Sequence, residues 1–369
     1  MNKGKELFLY NRSILEADSY PEMLSLEKFW IAEIFDSIQS KIKIIKSRTE
    51  FQSAFNNLLF EERNAPSDDI DYISNQISID EFRVIIQEFA VYGLTEAQSF
   101  FPIIPRLPIT AQMPILRVLI DEFGCGNLQQ AHSKLYYQLL SELEMPTKIE
   151  SYLDILNPES YAFLNIFYWL TNRAPDVEYF LGALAYLESM IPFAFKCFAD
   201  ACQRLNIVNS KYYTEHIHID DFHAKDVLRA LWEVDSAVGL DYTKAWTGVQ
   251  MGSFITAQAF DAALKKAKRK VNGVVRSINK GHNSISEFIP INSDYNLEGI
   301  PVKIKGKKYL VPAACPHRGG KLYCGLINEK NGTITCPLHF SKFEITSGKL
   351  LSGPGSASLE ITEIAQDKR

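Results

Sequence analysis

The segment CPHRGG…CPLHFSKFEITSGKLLSGP sets Cys315-x-His317 against Cys336-x-x-His339, with residues 318–335 between the two pairs. Two thiols and two imidazoles at such short spacings point to one metal centre gripped between two loops. Loops of that kind need a small, stiff scaffold. The flanking sequence supplies one: FIPI, GIPVKIKGKKYLVPAA, GTITC, KFEIT and SLEIT are short, β-branched and punctuated by glycine, the pattern of a small antiparallel β module.

Upstream, the rhythm is helical. Apolar positions recur at three and four in MLSLEKFWIAEIFDSI, ISIDEFRVIIQEFAVYGL, MPILRVLIDEF and QAHSKLYYQLLSELEM, as in helices sharing a core. Turns are marked by FGCGN (123–127), NPES (157–160) and NRAPD (172–176). The basic run Lys265–Lys270 reads as a solvated helix end, and the pattern changes after it. A chain of 369 residues is long for one core. We therefore expect a multidomain α + β protein: an all-α bundle over 1–268, a linker at 269–285 and an all-β domain over 286–369.

A net charge of −5 offers no basic surface, which argues against a nucleic-acid partner. Apolar stretches are broken by charge or proline before they reach a membrane span, and the N-terminal residues lack a secretory pattern. The expectation is a cytoplasmic protein whose six cysteines stay reduced and free to bind metal.

By donor type alone the C-terminal set suits zinc as well as an iron–sulfur cluster. The ligand order, the RGG after His317 and the TSGKLLSGP tail closely resemble the Rieske family, across residues 286–366. That resemblance implies a [2Fe–2S] cluster with Cys315 and Cys336 on one iron and His317 and His339 on the other. Phe340 stands where many Rieske ferredoxins carry glycine, and the cysteines of the respiratory loop disulfide are missing from their usual places. The likeness is thus to the ferredoxin or oxygenase type, an electron relay. The chain has no G-x-G-x-x-G fingerprint, so an external reductase is expected to feed it.

A relay needs a recipient. Of seven histidines, three crowd into HIHIDDFH at 216–223. On a helix His216, Asp220 and His223 fall at about 0°, 40° and −20°, one shared face. His218 and Asp221 point away. Glu188 is the sole charge in YFLGALAYLESMIPFAF, and a carboxylate so placed must be paired, protonated or metal-bound. His132 lines up with Leu135, Tyr136, Leu139 and Leu143 on an inward face, and Glu122 precedes a turn able to fold it back beside His132. Three carboxylates and three imidazoles make a sensible set for two irons, on the logic of ferritin-like bundles. Taken singly, each has a blander reading as a surface or satisfied core residue.

DEFGCGNLQQAHSKLYYQLLSEL, Glu188 in its apolar helix and YYTEHIHIDDFHAKDVL together resemble the haem-oxygenase-like diiron oxidases, over residues 30–260. The resemblance implies an all-helical fold without haem and two non-haem iron ions. Its ligands would be Glu122, His132, Glu188, His216, Asp220 and His223, with O2 as co-substrate. N-oxygenating members use a further carboxylate on an earlier core helix, for which Glu96 is the candidate. The expected activity is N-oxygenation of a small amine or amino-acid-like metabolite, with no membrane partner and a possible homodimer. Three alternatives stay open: C–C or C–H oxidation on the same scaffold, a mononuclear-iron Rieske oxygenase using His216, Asp220 and His223, and a non-enzymatic electron-transfer or sensor protein.

Overall fold

Serine hydroxyls open several of the helices. Ser47, Ser67 and Ser78 accept the backbone N–H groups of Glu50, Ile70 and Glu81, and Ser78 with Glu81 completes a capping box, so donors that the first turn leaves unpaired are satisfied. The computed structural model describes residues 2–271, 299–329, 331–336, 341–353, 355 and 357–364. The chain divides into two units, Met1–Val275 and Arg276–Arg369.

The first unit is mostly helical: α1 (Lys3–Arg12), α2 (Tyr20–Ile38), α3 (Arg48–Asn64), α4 (Asp68–Asn75), α5 (Ile79–Leu94), α6 (Ile109–Glu122), α7 (His132–Glu142), α8 (Pro158–Asn172), α9 (Val177–Arg204), α10 (Lys211–Val238) and α11 (Tyr242–Val271). Helix α9 is the spine, packed between α10 and α11, while α6 lies on α10 and α5 on α11. Glycines allow the tightest crossing. A Cβ on Gly182 of α9 would stand 1.9 Å from the Ala245 carbonyl oxygen, and one on Gly248 of α11 would stand 2.1 Å from that of Tyr179. By length and composition α9 could cross a membrane, but 61% of its apolar window is buried within the unit. That is the situation of a core helix.

Two expectations are adjusted. Helix α11 runs to Val271, into the stretch read as linker. The basic run is also not wholly solvated, because Lys266 pairs with Glu88, whose side chain is fully buried.

Among the described residues the second unit holds two antiparallel sheets. One is ordered β1 (Ile300–Ile304), β2 (Lys307–Val311), β7 (Thr362–Ile364). The other runs β3 (Leu326–Asn328), β4 (Thr333–Thr335), β5 (Lys342–Glu344), β6 (Leu350–Ser352). Ile304 pairs with Lys307, and Lys305 and Gly306 between them take φ of 48° and 87°, a tight hairpin turn matched to strand twist. Val302, Ile304, Val311, Ile334, Phe343 and Ile345 form a core that includes Cys315 and Cys336.

Candidate metal centre

Helix α6 stops at Glu122 because Gly124, Cys125 and Gly126 adopt φ of 61°, 51° and 80°. Left-handed backbone cannot continue a helix. The turn folds back closely enough that a Cβ on Gly124 would meet the Ala131 nitrogen at 2.5 Å. Helix α7 therefore begins beside the end of α6, and His132 Nδ1 lies 2.8 Å from Glu122 Oε2. Helix α10 presents His216, Asp220 and His223 on its buried face, and α9 brings Glu188.

Glu96 arrives differently from the expected helix placement. Helix α5 has ended at Leu94, and Ala97 turns left-handed with φ 60°, so Glu96 sits in the turn after the helix. It is buried there, with Oε1 3.2 Å from His216 Nε2.

These side chains form two overlapping groups. Glu96, Glu122, His132 and His216 have donor atoms within 4.8 Å of one another, as do Glu122, Asp220 and His223. Glu122 belongs to both. Glu188 joins the second through Oε2, 3.3 Å from His223 Nδ1.

The site is buried and crowded with acid. Burial pushes the Glu122 and Asp220 carboxyls up, and it pulls His132 down to about 3 with help from the neighbouring His216. Burial also opposes charge on His216 and His223. Glu96 and Asp220 around the first ring, and Glu188, Asp121 and Asp220 around the second, outweigh it and hold both well above the ordinary imidazole range. Glu96 Oε2 and Asp220 Oδ2 have no hydrogen-bond donor among the described residues. Buried acceptor oxygens without donors suit a cation, and carboxylates with imidazoles suit iron. The residues present therefore fit two metal ions, with Glu122 as the shared donor.

Three neighbours escaped the sequence reading. The Tyr212 hydroxyl donates to Glu96 Oε1 at 3.1 Å, and its carbonyl oxygen lies 2.7 Å from His216 Nδ1. Its place four residues before His216, on the same helical face, was the available signal. The Asp121 carboxylate approaches His223 Nε2 at 3.5 Å. Tyr92, one turn before Glu96, has its phenol raised by burial and then by Glu96, Glu122, Glu188 and Asp220.

In the second unit Cys315 and Cys336 are buried, free of disulfides and close enough to hydrogen-bond. That contact, followed by burial, pushes the Cys315 thiol well up. Paired buried thiols fit two ligands of one iron. His317 lies half-buried on the loop after Cys315, while His339 and Phe340 lie outside the described residues.

Residues 83–252 match the family of iron-containing redox enzymes, and residues 295–363 match the Rieske [2Fe–2S] domain. Residues 83–252 thus carry a haem-oxygenase-like redox domain and residues 295–363 a Rieske domain. Every donor from Glu96 to His223 falls inside the redox-domain match, and the four Rieske positions fall inside the other. The chain is similar to nitrosourea synthase from Streptomyces achromogenes subsp. streptozoticus. Identity is 28% over 152 residues, covering 39% of this chain and 31% of that protein, so the match spans about a third of the relative's length. A crystal structure from Shewanella denitrificans, described as a domain of unknown function with a haem oxygenase-like fold, aligns over 64% of this chain and all of that one, with TM-score 0.48 and 15% identity.

Proposed function

We propose that the protein is an oxidoreductase, an O2-dependent diiron oxygenase that N-oxygenates a small amine, with the Rieske domain relaying electrons to it. The observation that carries this reading is the sharing of Glu122 between two buried donor groups, since a bridging carboxylate is what distinguishes a dinuclear from a mononuclear site. In this reading Glu96, His132 and His216 complete one metal's set, while Asp220, His223 and Glu188 complete the other's. The likeness to nitrosourea synthase favours nitrogen over carbon as the atom oxidised, and Glu96 adds the further carboxylate expected of N-oxygenating relatives.

Two irons held there would supply electrons to O2 at neutral pH. The first insertion balances as R–NH2 + O2 + 2 e⁻ + 2 H⁺ → R–NHOH + H2O, and the product is a hydroxylamine or, after further oxidation, a nitro compound. A [2Fe–2S] cluster passes one electron at a time, so each insertion draws twice on it and on an external reductase. The chain's own residues keep bulk water out, hold the donors in register and set the protonation of the imidazoles. His132, depressed by burial, is kept neutral and available as a ligand.

Iron and acid-labile sulfide per chain, with Mössbauer spectra on anaerobically reconstituted protein, test the reading. Two sulfides with four irons, two of them in a non-sulfur environment, support it and justify screening amines under O2. Three irons favour a mononuclear oxygenase, and two irons leave the helical domain without metal. Glu122→Ala should lose both non-sulfur irons together, whereas independent sites would lose one.

A further inference from the structure

His216 and His223 are held by opposite ring nitrogens. In His216, Nδ1 meets the Tyr212 carbonyl oxygen at 2.7 Å, so Nε2 faces Glu96. In His223 the arrangement is reversed. Nδ1 faces Glu122 Oε1 at 3.4 Å, Glu188 Oε2 at 3.3 Å and Asp220 Oδ1 at 3.4 Å, while Nε2 faces Asp121 Oδ2 at 3.5 Å on the other side of the ring. An imidazole that binds metal through one nitrogen commonly donates its other N–H to a fixed acceptor, which sets the tautomer and the ring's direction.

We propose that Asp121 is a positioning residue: its carboxylate accepts the Nε2–H of His223 and thereby commits Nδ1 to the metal. This rests on the dinuclear reading above. Asp121 is buried at the C-terminal end of α6, and consecutive residues on a helix are turned by about 100°. Adjacent carboxylates can therefore divide the work, with Glu122 entering both donor groups and Asp121 reaching His223 from the far side of its ring. The two helices are fixed at that height by a second rung. Arg117, one turn before Asp121, donates to Asp226, one turn after His223. The Cys125 thiol lies 3.8 Å from the other oxygen, Asp121 Oδ1, so Oδ2 is the oxygen turned to the ring. His216 takes its direction from a backbone carbonyl, which substitution does not remove. His223 takes its direction from a side chain, so the two metal positions differ in their sensitivity to mutation.

The experiment is an anaerobic Fe(II) titration of the full chain against a competing chelator, on wild type, Asp121→Ala and Asp121→Asn. Mössbauer spectra assign the irons, and the Rieske visible spectrum and helical circular dichroism serve as fold controls. Asp121→Ala should weaken one non-sulfur iron by about 10- to 100-fold and leave the other within a few-fold. Asp121→Asn, whose amide oxygen still accepts from Nε2, should stay close to wild type. A wild-type chain that takes up two non-sulfur irons while Asp121→Ala loads identically overturns the assignment alone. So does an Asn variant that loses as much affinity as Ala, or equal weakening of both irons. A wild-type chain that binds no second non-sulfur iron overturns the dinuclear reading and the assignment together.

Discussion

Tyr212 serves two neighbours at once. Its carbonyl orients His216 and its hydroxyl donates to Glu96. Tyr212→Phe separates these roles, since the backbone contact survives and only the bond to Glu96 is lost. A hydrogen bond to a charged group contributes about 1.5–3 kcal/mol, so the iron on the Glu96 side should bind about tenfold more weakly or worse. Competition titration reads this directly, and unchanged affinity would mean that Glu96 is held by its turn alone. The residues brought together here were largely legible as types: imidazoles and carboxylates in apolar surroundings are conspicuous because burying them is costly. The resemblance implies a helix for Glu96, and the structure puts it in the turn just beyond one. The left-handed Ala97 that ends the helical path is a conformation sequence pattern does not announce. Asp121 is not legible as a partner of His223, because adjacent residues on a helix point about 100° apart and sequence does not show that both sides of one ring are met.

At the scale of elements, the centre depends on how closely α9 can approach its neighbours. Glu188 lies six residues beyond Gly182, under two turns along α9, and at that glycine the backbone of α11 comes within van der Waals range of α9. Gly182→Ala places a methyl group against the Ala245 carbonyl and must push the helices apart. Overpacking of this kind costs about 1–3 kcal/mol. The expected result is a lower melting temperature for the helical unit together with weakened binding of the iron that Glu188 would hold in the proposed dinuclear site. Full iron affinity beside a lowered melting temperature would show that the crossing supports the fold without steering the ligand. Helix periodicity made the bundle readable from sequence, and the glycines could be seen. Which helices would cross at them could not, because a period of 3.6 states which face is inward and not what it meets. The same gap explains the basic run: Lys266 looked solvated until α5 placed the buried Glu88 within its reach.

At the scale of the whole molecule, the proposed function puts two redox chemistries on one chain, where tethering would raise the concentration of reductant at the helical domain. That argument has a kinetic consequence. Cys336 is buried in the core of the second unit with Cys315, and Cys336→Ala removes a thiolate that the cluster requires. The helical domain has its own core and its own donors, so it should keep its iron and its helicity. Reduced once with stoichiometric dithionite and a mediator and then freed of both, the variant should complete one round of O2-dependent product formation and then stop. Given the external reductase it should make no product at all. Wild type should turn over repeatedly with the reductase. The measurement is product per chain against time, with each variant's non-sulfur iron quantified beforehand so that a lost site is not mistaken for a lost relay. Repeated turnover by Cys336→Ala with the reductase would mean that electrons reach the helical domain without the cluster, and the relay would have to be abandoned. A variant that fails even the single chemically reduced round, with its iron intact, would instead give the Rieske domain a part in the oxidation step itself.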